Sequence, residues 1–284
     1  MAARPATLSA AVGPVLIGTS SAWHDGVFAA LPFVVVAFCA LAIQVGVNYA
    51  NDLADAQKGA DTEARIGPQR AVSSGVISAS DMRRGIAVAF GLAAIGGLYL
   101  IWYAGWPIFV IGLISIIAAL GYTNGPIPYG YYGLGEVFVF VFFGLVATGG
   151  TRYVFSPSVP AAVWSGGVVM GLLAAAILEA NNIRDIDTDR IAGKRTLAVV
   201  IGRTWARRLF AATLTGAFLV TLFTAMVGWL PFMSLLALIV TPLALPLIQT
   251  VNTETGGPPL IGVLKGTAQL QLFVGLLLAL GIAF

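Results

Sequence analysis

The chain has 284 residues, of which 58% are hydrophobic and only 10% are charged, and its net charge is +3. Its mean hydropathy is +0.93, and a soluble domain carries about 25% charged residues, so a water-soluble enzyme, a disordered chain and a nucleic-acid binder are all excluded. One cysteine, Cys39, and one histidine, His24, exclude a disulfide within the chain and a zinc site built from several Cys or His.

Crossing a bilayer takes roughly 20 mostly apolar residues per helix. On that measure the sequence predicts an all-α polytopic membrane protein, one domain over 1–284, with about nine helices. They fall near 8–23, 27–55, 80–104, 106–122, 133–151, 161–183, 203–228, 231–250 and 261–283. The first is short and rich in Gly and Ser. Breakers separate the later ones, among them Gly105-Trp106-Pro107, Gly125-Pro126, Ser156-Pro157 and Gly256-Gly257-Pro258-Pro259. The apolar runs are too long, and lack the alternation, for an outer-membrane barrel.

Of the 27 charged residues, 20 lie in two windows, 52–84 and 184–208. Twelve of the 15 Lys and Arg are among them. Four spans separate the two windows, so both fall on one side, expected to be the cytoplasm. The N-terminus is then inside and the C-terminus outside. No cleavable signal is evident, Arg4 being the only early charge.

The two windows also resemble each other. The first begins Asn48-Tyr49-Ala50-Asn51-Asp52 and continues through Asp55, Lys58, Gly59 and Asp61. The second begins Asn181-Asn182-Ile183-Arg184-Asp185 and continues through Asp187, Asp189, Gly193, Lys194 and Arg195. Asn, spaced Asp, Gly and a basic residue recur in that order at the end of a long apolar helix. This reads as a pseudo-repeat of two half-bundles, with a site at their interface.

On a helix, Asp52 and Asp55 share a face, as do Asp185 and Asp189, while Asp187 points elsewhere. Carboxylates this close repel unless a cation sits between them. Hard divalent ions with oxygen ligands serve that purpose, and Mg²⁺ is typically held by carboxylates together with substrate phosphates. Lys58, Arg65 and Arg70 follow the first cluster and Lys194 and Arg195 the second, suited to phosphate oxygens. The pattern describes a diphosphate site with about two Mg²⁺ at a membrane face. Taken singly, each Asp could equally be a solvated helix-end charge.

These residues carry a resemblance. Asn51-Asp52-Leu53-Ala54-Asp55 and Asp185-Ile186-Asp187-Thr188-Asp189 resemble the two Asp-rich motifs of the UbiA superfamily of intramembrane aromatic prenyltransferases. Gly59 stands where the first motif ends in Asp, and Asp61 is the nearest acid. Longer strings around 51–78, 121–144 and 181–203 resemble its 1,4-dihydroxy-2-naphthoate branch. The resemblance implies that metals and cations stabilise the leaving diphosphate of a polyprenyl donor. An allylic cation follows, and an electron-rich ring attacks it. It implies Asp52, Asp55, Asp61, Asp185 and Asp189 as metal ligands, and Lys58, Arg70, Arg184, Lys194 and Arg195 on the diphosphate. Asp55, Asp185, Lys194 and Arg195 would carry the catalysis.

Candidates to face the acceptor or the cation are Asn48, Asn51, Tyr122, Tyr131, Glu136, Asn181 and Asn182, with Tyr129, Tyr132 and Phe138 nearby. Tyrosines are also common in interfacial belts, and the Asn side chains could satisfy one another between helices. Glu136 could instead cap its helix. Glu179 is expected to orient a basic residue, Arg152 to lie at the outer interface, Cys39 to fill apolar space and His24 to sit on an outer loop. Other aromatic acceptors, 4-hydroxybenzoate or homogentisate, are the alternative within the family. A transporter is the rival outside it, but its binding groups belong near the midplane.

Overall fold

The computed structural model describes residues 2–58, 70–123 and 128–284. Among them are nine helical rods: α1 Pro5–His24, α2 Ala30–Gln57, α3 Ala79–Ala104, α4 Trp106–Gly121, α5 Gly135–Phe155, α6 Ala161–Ile191, α7 Leu197–Met226, α8 Phe232–Thr253 and α9 Pro258–Ala283. No strand occurs among these residues. Seven rods, α2, α3 and α5 to α9, are long and apolar enough to cross a membrane. The other two fall short for separate reasons: α1 carries Ser and Thr along its length, and α4 has 16 residues.

The core forms around α6. Its most apolar window is 67% buried, against 22% for α2 and 17% for α3. Met170, Leu173, Ile183 and Ile186 pack with Phe210 and Leu214 of α7 and with Leu270, Val274 and Leu278 of α9. A helix apolar on every side belongs in such a position. Small residues let neighbours come close. A Cβ on Gly144 of α5 would lie 2.5 Å from the Gly167 carbonyl oxygen of α6, a backbone approach that the Gly167-x-x-x-Gly171 spacing permits.

Four differences from the predicted elements have local causes. α6 runs on to Ile191 instead of ending near 183, because residues 184–191 continue the helical hydrogen bonds with a polar face. α7 starts at Leu197, and its expected start at 203 marks instead a break at Gly202, whose φ of 79° favours glycine. The first half of α8 is 3₁₀ helix, Phe232–Leu243, where Pro242 supplies no backbone donor. Within α5, Phe140–Val146 form a π-helical stretch. The wider turn accommodates the Gly144 contact with α6 and sits beside the cavity described next.

Candidate active site

The C-terminal ends of α2 and α6 carry the two Asp clusters and face each other. The extension of α6 sorts its acids: Asp185 and Asp189 side chains are 10% and 13% exposed, while that of Asp187 is 70% exposed and pairs with Arg203. Just beyond α6, Lys194 reaches across. Its ammonium lies 3.1 Å from Asp55 Oδ1 and 3.8 Å from Asp189 Oδ1, so one cation bridges the two half-bundles.

Asp55 is the hub. Arg70 Nη2 donates to its Oδ2 at 2.7 Å, and the Tyr131 hydroxyl donates to Oδ1 at 2.7 Å. The Lys58 and Lys194 ammonium groups sit 4.4 and 4.9 Å from the centre of the Tyr131 ring, within cation–π range. Burial first, and then the Asp55 charge and hydrogen bond, push the Tyr131 phenol up. It therefore keeps its proton and acts as a donor. Arg184 donates Nε and Nη2 to the Asp185 carboxylate at 2.7 and 2.5 Å, and its Nη2 also reaches Asn181 Oδ1 at 2.8 Å. Asp52 accepts the backbone N–H groups of Ala71 and Val72 at 3.1 and 3.0 Å, which fixes the segment carrying Arg70.

Below this cluster opens a chamber of about 1120 Å³. Along α2 it is lined from Asp55 to Val36, an axial length of about 28 Å at 1.5 Å per residue. Its walls are apolar side chains of α2, α3, α4 and α5, including Ile43, Leu100, Ile111 and Val146. At its upper end Tyr129 stacks on Phe138 with centroids 3.8 Å apart, Phe138 meets Phe142 at 6.1 Å, and Tyr122 stands edge-on to Tyr129 at 5.5 Å. All four rings line the chamber.

The structure brings Asp52, Asp55, Arg70, Asp185, Asp189, Arg184 and Lys194 to one mouth, with Asn48, Asn51, Asn181 and Asn182 on its wall. Asn51 Oδ1 accepts from the Thr123 hydroxyl at 2.9 Å, and Asn48 ties down the Ala3 carbonyl at 2.8 Å. Asp61 and Arg65 lie outside the described residues.

Several expectations need correction. Arg195 points to solvent and does not line the chamber, and it is its backbone N–H that bonds the Tyr131 carbonyl at 3.0 Å. Tyr131 lines the chamber and also belongs to the ionic cluster, because its hydroxyl serves Asp55 and its ring serves two ammonium groups. Tyr132 is exposed. Glu136 does not face the chamber and accepts from Asn182 Nδ2 at 2.9 Å. Glu179 accepts from Thr213 at 3.0 Å and, among the described residues, pairs with no Lys or Arg. Arg152 is buried, paired with Asp25 at 2.6 Å and donating to Ser21, because an interior guanidinium must find partners. Sequence reading missed Thr123, whose hydroxyl holds Asn51 and whose carbonyl accepts from Lys58 at 2.5 Å. Its only signal was its place beside Tyr122.

Comparison with known proteins fits this geometry. The UbiA prenyltransferase family matches residues 11–260. The chain belongs to that family. It is 36% identical to the 1,4-dihydroxy-2-naphthoate octaprenyltransferase of Escherichia coli K12, over 98% of this chain and 92% of that one. It is 39% identical to the enzyme of the same name from Mycobacterium tuberculosis H37Rv, over 99% and 95%. The fold resembles a UbiA homolog from Archaeoglobus fulgidus solved with DMAPP and Mg²⁺, with a TM-score of 0.70 at 14% identity, covering 98% of this chain and 97% of that one.

Asp55, Asp185 and Asp189 supply hard oxygen donors at the mouth from two helices, the donor type Mg²⁺ takes, but among the described residues no three His, Cys, Asp or Glu are gathered closely enough to hold a metal ion. In this arrangement Lys194 and Arg184 hold positions at those carboxylates. Positive charge is therefore what the acids require.

Proposed function

We propose that this chain transfers a polyprenyl group from polyprenyl diphosphate to 1,4-dihydroxy-2-naphthoate, releasing diphosphate and CO₂ and giving a demethylmenaquinol, a step of menaquinone synthesis. The observation that carries the reaction class is the facing of two Asp-bearing helix ends across one mouth, bridged by Lys194, above a long apolar chamber. Likeness over nearly the full length to two naphthoate octaprenyltransferases supports the acceptor.

About two Mg²⁺ would be held by Asp55, Asp185 and Asp189, with Asp52 and Asp61 as further candidate ligands. Metal there would supply positive charge to the diphosphate. The chain's own residues do the rest. Arg70, Arg184 and Lys194 would turn from their carboxylates to the phosphate oxygens and stabilise the leaving group. Tyr131 keeps Asp55 in place. The prenyl tail lies in the chamber, which crosses most of a roughly 30 Å hydrocarbon layer. Tyr122, Tyr129 and Phe138 offer ring faces to the allylic cation, and the apolar wall keeps water from it. Attack by the ring carbon that bears the carboxylate gives a dearomatised acid, and loss of CO₂ restores aromaticity without a strong side-chain base. His24, the one histidine, sits exposed at the end of α1 away from the Asp clusters and has no part in this.

The deciding experiment supplies membranes with carboxyl-labelled acceptor and a polyprenyl diphosphate. About one labelled CO₂ per diphosphate is expected. A prenylated product that keeps its carboxylate would reject the naphthoate reading in favour of a benzoate-type acceptor.

The basic loops are proposed to face the cytoplasm. In a Cys39→Ala background, a cysteine at Ala192 should react only from the cytosolic side and one at His24 only from the opposite side. Labelling of both from one side would overturn that orientation.

A further inference from the structure

Two carboxylates are unused by the site. Glu136 at the start of α5 and Glu179 on α6 are 7% and 4% exposed. One oxygen of each is satisfied, Glu136 Oε1 by Asn182 Nδ2 and Glu179 Oε1 by Thr213 Oγ1. The other oxygen of each, Oε2, is buried and has no hydrogen-bond partner. Both residues line one small space of about 10 Å³, walled otherwise by Ile183, Leu197, Ala198, Ile201, Ala206 and Leu209. No Lys or Arg among the described residues lines it.

Two ionised carboxylates cannot share apolar surroundings without a counter-charge. The walls offer none. A proton on one carboxyl removes the repulsion. The space is also about the 10–15 Å³ that a single water needs. A water there accepts from the protonated carboxyl and donates to the other Oε2, and both orphaned oxygens are then satisfied.

The arrangement reaches the chamber through Asn182, which lines it while neither Glu does. Glu136 holds one of the two amide N–H groups of Asn182, which fixes the plane of the amide and leaves Oδ1 as its one acceptor. A phenolic hydroxyl is a donor and matches it. We propose that Glu136 and Glu179 form a buried site for one proton and one water, and that this pair positions Asn182 Oδ1 to accept from a hydroxyl of the aromatic acceptor. The second half rests on the acceptor reading above; the first does not.

Two measurements on the full-length protein in lipid nanodiscs separate them. Infrared difference spectra on exchange into D₂O should show one protonated-carboxyl C=O band at neutral pH. Replacing both, Glu136→Gln with Glu179→Gln, should abolish it, whereas either single substitution should shift its frequency, because the remaining carboxyl stays buried without a counter-charge. No such band, or one that survives both substitutions, overturns the shared proton. In the second measurement, both Gln variants should turn over within about twofold of wild type, because a neutral amide preserves the hydrogen bonds. Glu136→Leu should raise the KM of the aromatic acceptor about tenfold, the worth of roughly one hydrogen bond, with the KM of the polyprenyl diphosphate unchanged. Asn182→Ala should give the same split and keeps the test open if Glu136→Leu does not fold. Equal changes in both KM values, or none, overturn the positioning role. The assay uses whichever aromatic acceptor the wild type prenylates, so failure of the naphthoate reading leaves both outcomes legible.

Discussion

Near the end of α1 remote from the Asp clusters, Arg152 makes a closed arrangement, with Asp25 at 2.6 Å and Ser21 at 3.2 Å. At the Asp-rich end, Asp55 alone meets Arg70, Lys194 and Tyr131, and Lys194 divides itself between Asp55 and Asp189. Both clusters hold ion pairs on a buried side chain, Arg152 in the first and Asp55 in the second, though Asp25 itself is 36% exposed. The first lies outside the chamber and joins α1 to α5. The second opens on the chamber, and its cations are arranged so that they can exchange one anion for another. A buried pair alone is weak evidence of function. What distinguishes the active end is shared partners around a carboxylate, beside space for a ligand.

The difference can be broken from either side. The largest effect is expected at the open cluster. Asp55→Asn or Asp185→Asn should lower kcat by about 10²–10³-fold or more, since each removes charge and geometry from the diphosphate site. The thermal midpoint should stay close to wild type, and EDTA should silence the wild type with Mg²⁺ restoring it. Full turnover in EDTA would sink the metal assignment.

At the closed cluster the outcome should invert. Asp25→Asn leaves Arg152, whose side chain is 2% exposed, without its carboxylate. Stability should fall by about 1 kcal/mol, because water screens the exposed Asp25 carboxylate, read as a lower unfolding midpoint, while both Michaelis constants stay unchanged in the folded fraction. A selective change in substrate affinity would show that this end is not purely structural.

The smallest and sharpest contrast lies between adjacent residues. Lys194→Ala should lower kcat/KM about 10–100-fold, as expected for lost charge-assisted contacts to the leaving group. Arg195→Ala should stay within about twofold, because its side chain faces solvent and ends outside the mouth. Equal losses at both positions would restore Arg195 to the site.

Much of this was legible in the chain. The long apolar stretches located nine helices to within a few residues at most ends, because crossing a bilayer leaves the backbone few options. The i, i+4 spacing of Asp185 and Asp189 placed them on one face and turned Asp187 away, as their exposures show. Less legible were features set by the partner across a gap. Tyr131 looked like an aromatic wall residue and does line the chamber, but nothing local showed that its hydroxyl belongs to Asp55, 76 positions earlier in the chain. Lys194 and Arg195 looked equivalent because sequence order carries no direction once a helix has ended. The reversal at Gly193, with φ of 71°, sends one inward and leaves the other outside.

The sequence by itself determined membrane class, helix number, the existence of two acid-rich helix ends and their family likeness, since these depend on composition and local periodicity. Tertiary structure decided which charges meet. Asp52 became the anchor of the Arg70 segment, Arg152 the staple to Asp25, and Glu136 and Glu179 the walls of a small space behind the site. The physical reason is that a buried charge must be neutralised by whatever group packing brings within a few ångströms. That group is chosen by the approach of helices far apart in the chain, which no local pattern records.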